Sequence, residues 1–170
     1  MQTRSEIQTS PAKNPTTVER KSDRELVVTR IVNAPARIVF QAWTKAELMQ
    51  QWWVPKSIGV VLLSCETDVR VGGKYRFVFA NGDLPPMEFF GRYIEVIPPT
   101  RLAWTNDEAG EVGQVTTLTL EEKDDTTLII LHDLYPSKEA CDAALASGEK
   151  DGMNETFDQL QELLVTLRAG

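Results

Sequence analysis

Histidine is the side chain best suited to acid–base chemistry near neutral pH, and His132 is the only histidine in this chain of 170 residues. It alternates in phase with Leu128 and Ile130 on a predicted strand, so these three side chains share one face. To act as a general base, His132 would need an orienting carboxylate or a reacting group within hydrogen-bond reach. The neighbouring Asp133 points to the other face. A hydrogen-bonded structural histidine is therefore the favoured interpretation.

The carboxylates and thiols do not form a recognisable reactive site. Glu66 and Asp68 share one face of a strand end, and such a pair could do acid–base work. With Arg70 nearby, a solvated edge is the favoured alternative. Cys65 and Cys141 have no metal or redox spacing, which is typical of two reduced thiols in a cytoplasmic protein. We predict no catalytic residue, no metal and no cofactor.

Aromatic residues offer a different chemistry, which is the binding of apolar surface. Trp52 and Trp53 are adjacent, so they cannot share a face of one helix or strand. Trp52 is predicted to anchor the neighbouring helices. Trp53 is then expected to face the mouth of a cavity, or solvent, where its ring would suit an apolar ligand or a partner.

Further aromatic residues alternate along the predicted strands and so line one face. They either pack into a filled core or surround an apolar pocket with a few polar tips, the usual character of small-molecule sites. Gly91, among these large side chains, either leaves room or marks a bulge. The predicted ligand-binding residues are Trp53, Tyr75, Phe77, Phe79, Phe89, Tyr93, Trp104, His132, Met153 and Phe157.

The elements that position these residues follow from hydrophobic periodicity. Strands are predicted at 25–32, 58–69, 74–79, 87–97, 101–106, 114–122 and 126–134, and helices at 36–43, 45–52, 137–148 and 152–168. Thr44 and Ser137 are the expected N-caps of the second and third helices. An apolar stripe of Met153, Phe157, Leu160, Leu164 and Leu167 marks the last helix, with Gln159, Glu162 and Arg168 on its wet side.

This element order predicts an α+β fold, a curved antiparallel sheet of about seven strands around a long C-terminal helix. Two short helices lie between the first two strands. Residues 25–168 form the predicted domain. Residues 1–24 are polar, contain Pro11 and Pro15, and are predicted to be a disordered tail.

Composition limits the classes of partner. The chain is 42% hydrophobic and 25% charged, which is ordinary for a globular domain. Its net charge of −7 argues against nucleic acid and anionic membrane surfaces. No apolar run is long enough to span a bilayer, and the N-terminus lacks a secretory signal, so we expect a cytoplasmic protein without membrane insertion.

Five segments of the sequence are distinctive: "TRIVNAPARIVFQAWTKAELMQQWWVPK", "DVRVGGKYRFVF", "FFGRYIEVIPPTRLAWT", "VTTLTLEE" and "TTLIILHDL". Together they resemble the AHSA-type family, named after the activator of the ninety-kilodalton heat-shock protein's ATPase. The resemblance covers residues 25–167. It implies the START-like, SRPBCC helix-grip fold. Family members often carry Gly-Trp at the start of the last helix, where this chain has Gly152-Met153.

The resemblance is specific for the fold and not for a reaction, since the superfamily includes binders, enzymes and cochaperone modules. We expect non-catalytic binding of a small hydrophobic or amphipathic molecule between the sheet and the C-terminal helix. One alternative is an enzyme of the cyclase or hydrolase type that uses Tyr93, His132 or a buried acid in the same cavity. Another is a cochaperone-like module that contacts a chaperone through Trp53 and the two short helices. A homodimer, the ligand's identity and the role of the tail are left open.

Overall fold

The computed structural model describes residues 16–107, 113–147 and 152–169. Eight strands form one antiparallel sheet with the order β1-β2-β8-β7-β6-β5-β4-β3. The strands are β1 (Thr17–Ser22), β2 (Glu25–Val32), β3 (Val61–Thr67), β4 (Lys74–Ala80), β5 (Met87–Ile97), β6 (Arg101–Thr105), β7 (Val115–Lys123) and β8 (Thr126–Leu134). The fold is α+β, as predicted.

Four α-helices complete the described structure. They are α1 (Ala36–Thr44), α2 (Ala46–Trp52), α3 (Lys138–Ala146) and the C-terminal α4 (Met153–Ala169), and a short 3-10 turn follows α2 at Lys56–Ile58. The pair α1–α2 lies between β2 and β3 in the chain and contacts both α4 and the sheet. Because α1, α2 and α4 cover the same face of the sheet, that face becomes the inner wall of the domain.

The main core lies between this inner face and the helices. Alternation in β2 and β8 buries Val28, Val32, Ile129 and Leu131, and α4 contributes its apolar stripe. Phe157, Leu160 and Leu164 are completely buried, while Met153 and Leu167 are partly buried at the two ends of the helix. The predicted stripe is therefore confirmed.

Two local predictions at the helices were wrong. Thr44 does not cap α2 but ends α1, where its hydroxyl donates to the Phe40 carbonyl at 2.8 Å, and Lys45 stands at the N-cap. Gln159 is 8% exposed and not on the wet side of α4, because its amide is bonded to the backbone after α2. In contrast, the predicted N-cap Ser137 accepts a hydrogen bond from the Ala140 N–H at 3.1 Å.

The eighth strand, β1, lies within residues 1–24, which the sequence predicted to be a disordered tail. Order therefore begins at least eight residues before Glu25, and the remainder of that prediction, residues 1–15, lies outside the described residues. All six residues of β1 are exposed. It is held by backbone pairing to β2, from Thr17 opposite Thr29 to Ser22 opposite Glu25. Such pairing needs no buried apolar side chains, so no apolar periodicity marks the strand.

Candidate functional site

A cavity of about 470 Å³ separates the inner face of the sheet from α1, α2 and the first turn of α4. Pockets that hold small molecules measure roughly 300–1,000 Å³. Most of its walls are aromatic or aliphatic side chains. They are joined at one end by the polar side chains of Asn106, Gln114, Thr116 and Asp133. The residues therefore enclose an amphipathic space.

Strand register places four of the lining residues in one row across the sheet. Tyr93 on β5 pairs with Trp104 on β6, Trp104 pairs with Thr116 on β7, and Thr116 pairs with Asp133 on β8. Directly opposed side chains in antiparallel strands have Cβ atoms about 4.5–5.5 Å apart. The row thus changes from aromatic at β5 and β6 to polar at β7 and β8.

Trp43 on α1 is the centre of an aromatic cluster above this row. The centroid of its ring lies 4.8 Å from that of Trp52, 5.5 Å from Trp53 and 6.1 Å from Trp104. Trp52 is buried, and its indole nitrogen donates to the Ala42 carbonyl at 2.9 Å. Trp53 is half-buried, packs on Phe77 and lines the cavity. The two adjacent tryptophans therefore divide as expected, one anchoring the helices and one facing the cavity.

The segment that carries Trp53 is attached to α4 by side-chain hydrogen bonds. Gln159 donates to the carbonyls of Trp52 and Val54 at 3.0 and 2.9 Å and accepts from the Lys56 N–H at 2.9 Å. The Glu155 carboxylate accepts from the Ser57 N–H and hydroxyl. These bonds hold the pKa of Glu155 below its usual range. They fix one wall of the cavity relative to α4.

The polar end of the cavity is a connected network. The Thr116 hydroxyl donates to the Asp133 carboxyl at 2.7 Å and accepts from the Asn106 amide at 3.2 Å. The Tyr75 hydroxyl donates to the Thr105 carbonyl at 2.6 Å. Asp133 is only 2% exposed, so an acidic group is held inside the domain beside an apolar space.

The hydrogen-bond donors on the aromatic side of the cavity differ from those of the polar end, because they do not belong to the network. The Trp43 indole nitrogen is buried and has no hydrogen-bond partner among the described residues. Within the same ranges, neither the Tyr93 hydroxyl nor the Trp104 indole nitrogen has a partner. Burial raises the pKa of Tyr93 well above its usual range, so this hydroxyl stays protonated. Burial also raises the pKa of the Cys65 thiol to about 11.

Most of the predicted site residues surround the cavity. The structure brings together Trp53, Tyr75, Phe77, Phe89, Tyr93, Trp104 and Met153 along its walls. Phe79 and Phe157 do not line it. Phe157 is completely buried against Trp43, and Phe79 packs between Phe77 and Phe89. Both belong to the surrounding core.

His132 lies on the opposite face of β8, away from the cavity. Its Nε2 is 2.7 Å from a carboxylate oxygen of Glu25, and this bond lowers the pKa of Glu25. The strand buries Ile129, Leu131 and Asp133, so strict alternation directs His132 outward. The structural role favoured for this histidine agrees with its position, and a role in ligand binding does not.

Sequence reasoning did not select Trp43, Asn106, Thr116 or Asp133, all of which line the cavity. A signal for Asp133 was present, because it is in phase with the apolar Ile129 and Leu131. An acid on the apolar face of a strand is rarely buried unless it has partners or a function. Trp43 had the helical spacing of a core residue, and nothing in that spacing distinguishes a core residue from a cavity wall.

Metal and membrane features are not observed in the described part of the chain. Residues 16–107, 113–147 and 152–169 contain no group of three His, Cys, Asp or Glu side chains arranged to hold a metal ion. In the same residues, no helix combines the length and apolar character needed to cross a membrane.

Comparison with solved structures identifies proteins of the same fold. A crystal structure of a protein from Rhodobacter sphaeroides has a TM-score of 0.82 and 24% identity, covering 90% of this chain and 99% of that one. A protein from Nitrosomonas europaea has a TM-score of 0.80 and 24% identity over 88% of this chain and 99% of its own. An AHSA1-like protein from Aeromonas hydrophila has a TM-score of 0.60 and 18% identity, with coverages of 78% and 92%.

No match was found among curated proteins. The family model described as Activator of Hsp90 ATPase homolog 1-like protein matches residues 33–165, from the end of β2 to the last turns of α4. This range contains α1, α2, α3, most of α4 and every residue that lines the cavity. The chain belongs to the Activator of Hsp90 ATPase homolog 1-like family.

Proposed function

We propose that this protein binds a small hydrophobic or amphipathic molecule, without catalysis, in the cavity between the sheet and α4. One observation carries the proposal: about 470 Å³ of space remains beside a core whose side chains are otherwise closely packed. Apolar surface removed from water contributes about 25 cal/mol per Å² to binding. Aromatic walls around such a space therefore favour an apolar guest over water.

The fixed walls support the proposal, because a site that exists before binding loses little conformational freedom when it is filled. Trp52 is bonded to α1, and the segment after it is held by Gln159 and Glu155. The cavity is therefore a feature of the folded chain and does not require the ligand to form.

Two exposed side chains of the lining mark the entrance to the cavity. Ile58 and Phe89 line the cavity, yet they are 56% and 37% exposed. Both side chains therefore lie where the cavity meets solvent. An apolar rim of this kind lets a hydrophobic molecule enter without first displacing charged groups.

An enzyme using the same cavity is less well supported. Of its suggested proton donors, Tyr93 and a buried acid, Asp133, line the cavity, whereas His132 lies on the other face. General acids and bases work best when their pKa lies near the operating pH. The strongly raised pKa of Tyr93 is unfavourable for that role.

Thermal unfolding in the presence of uncharged apolar compounds tests the proposal. A ligand of the folded state at one hundred times its Kd adds about 2.7 kcal/mol to the free energy of unfolding, which raises Tm by several degrees. We expect at least one compound, for example diphenylmethane, to produce such a shift. The substitution Met153→Trp should abolish it, because the larger ring fills space beside Trp53.

The matched control is Val165→Trp. It adds a similar ring to the same helix at a position that is 57% exposed and distant from the cavity lining. This variant should keep the ligand-induced shift. If uncharged apolar compounds of many different sizes all leave the Tm of the wild-type protein unchanged, the proposed function is excluded.

A further inference from the structure

Two hydrogen-bond donors in the cavity wall have nothing to bind. Tyr93 is 3% exposed and Trp104 is 8% exposed, and both line the cavity. No hydrogen bond joins the Tyr93 hydroxyl or the Trp104 indole N–H to another of the described residues. Buried tyrosine and tryptophan side chains usually find a partner for these groups. Here the partner is missing where the wall borders the cavity, as it also is for the Trp43 indole nitrogen.

The two donors are neighbours. Tyr93 and Trp104 are directly opposed in the β5–β6 ladder, so their side chains start from adjacent points on the same face. The Trp43 ring, whose centroid is 6.1 Å from that of Trp104, lines the same cavity. One acceptor atom of a bound molecule could therefore serve both donors.

The polar side chains at the other end of the cavity already have partners. The Tyr75 hydroxyl donates to the Thr105 carbonyl, and the Thr116 hydroxyl donates to Asp133. The donors without a partner thus lie on the aromatic side, where Tyr93 and Trp104 are directly opposed and the Trp43 ring is a near neighbour. Asp133 lies on the same row two strands from Trp104, where an acidic group opposes a negatively charged guest. The acceptor that fits is an uncharged oxygen.

We propose that the cavity selects uncharged, largely apolar molecules that carry a carbonyl oxygen, which accepts hydrogen bonds from the Tyr93 hydroxyl and the Trp104 indole N–H. This inference rests on the proposed function and defines the class of its ligand. The raised pKa of Tyr93 agrees with it, because the hydroxyl remains a donor at every physiological pH.

Three probes of similar shape test the inference: benzophenone, diphenylmethane, which lacks the carbonyl, and 4-benzoylbenzoate, which adds a charge. Equilibrium dialysis gives their Kd values. A wall that offered only apolar contact would favour the hydrocarbon, since removing a carbonyl from water without a new hydrogen bond is costly. We expect benzophenone to bind about tenfold more tightly than diphenylmethane, and 4-benzoylbenzoate to bind more weakly than benzophenone.

Two matched variants locate the effect. Tyr93→Phe removes only a hydroxyl without a partner, so it should weaken benzophenone binding several-fold and leave diphenylmethane unchanged. Tyr135→Phe removes the same atom from a buried tyrosine that packs with Leu26 and Cys141 and does not line the cavity. Its ratio of the two Kd values should equal that of the wild-type protein.

The outcomes separate this inference from the proposed function. If diphenylmethane binds as well as benzophenone, or Tyr93→Phe keeps the preference, the carbonyl selectivity is overturned while apolar binding stands. Should none of the probes bind, both proposals are overturned. The ratio of the diphenylmethane and benzophenone Kd values is measured on the wild-type protein. It therefore tests the carbonyl selectivity even if a variant folds poorly.

Discussion

Gly91 lies where two strands and an aromatic ring meet at close range. A Cβ atom at this position would overlap the Thr105 carbonyl oxygen and lie 2.9 Å from Cε2 of Tyr75. The absence of a side chain lets the Tyr75 ring cross β5 and bring its hydroxyl to Thr105. Of the two explanations open from the sequence, room for a neighbour is the one that the contacts support.

We therefore expect Gly91→Ala to lower the free energy of unfolding by about 2–4 kcal/mol, since the neighbouring backbone must shift to accept the methyl group. Chemical denaturation measures the change. Gly152→Ala is the control, because its new Cβ would meet only Pro55 Cγ at an ordinary 3.6 Å. Equal effects of the two substitutions would contradict the packing explanation.

For individual residues, the sequence predicts the direction of a side chain better than it predicts the function of that side chain. Alternation correctly places the Tyr75, Phe77 and Tyr93 side chains on the inner face. The same rule sends His132 outward and Asp133 inward, yet the histidine attracts attention as the chain's only one. The residue type of His132 suggested a chemical role, whereas the alternation along the strand determines which face of the sheet its side chain occupies.

Among the elements, the segment after α2 and the helix α4 form one wall of the cavity. Glu155 and Gln159 are one turn apart on α4 and bind successive backbone groups of this segment. Since the Glu155 interaction depends on charge, it links the stability of the wall to pH.

The direction of this change in stability with pH follows from the lowered pKa of Glu155. A carboxyl whose pKa is lower in the folded state stabilises the fold above its unfolded pKa, and that stability is lost as the pH falls through the folded value. We expect Glu155→Gln to be less stable than the wild-type protein at pH 7, and the difference to shrink between about pH 5 and 3. Thermal unfolding across this range checks it.

Glu162→Gln is the corresponding control, because it removes one charge from an exposed position of the same helix without contact to the segment. A difference for Glu155→Gln that stays constant down to pH 3 would contradict the linkage. So would an equal pH dependence in the control.

Element boundaries were predictable where a period or a capping residue marks them. The strands at 87–97 and 126–134 agree with β5 and β8, and Ser137 caps α3. Thr44 shows where capping patterns fail as predictors. Its hydroxyl can either cap the following helix, α2, or bond to a carbonyl of α1, the helix to which it belongs. Here α1 continues through Thr44, and the intrahelical bond forms.

For the whole molecule, β1 is the part that the sequence did not indicate. It covers one edge of β2 and contributes Arg20, which pairs with Asp142 of α3 at 2.7 Å. Exposed edge strands are prone to pair with other chains. The strand therefore protects β2 as well as extending the sheet.

Removal of residues 1–23 should lower the free energy of unfolding by about 1–2 kcal/mol, because the lost backbone hydrogen bonds are partly offset by the entropy of ordering the strand. It should also increase self-association at the uncovered β2 edge. Denaturation and light scattering measure the two effects. Removal of residues 1–15 alone is the control and should cause neither.

The overall architecture could be predicted because it depends on hydrophobic period, which is local in the sequence. The cavity could not, because it depends on how far α4 lies from the inner face. That separation is set by the contacts of Gln159, Glu155 and Trp52, which join residues about one hundred positions apart. Such long-range pairs leave no periodic signature in either segment.

The row of Tyr93, Trp104, Thr116 and Asp133 draws one side chain from each of four consecutive strands. Hydrogen bonds between the main chains set this alignment, so the strand register does not depend on which side chains occupy the four positions. A substitution at any one of these positions therefore changes the lining of the cavity and leaves the register of the sheet unchanged. One sheet can in this way carry many cavity linings that differ by a single side chain.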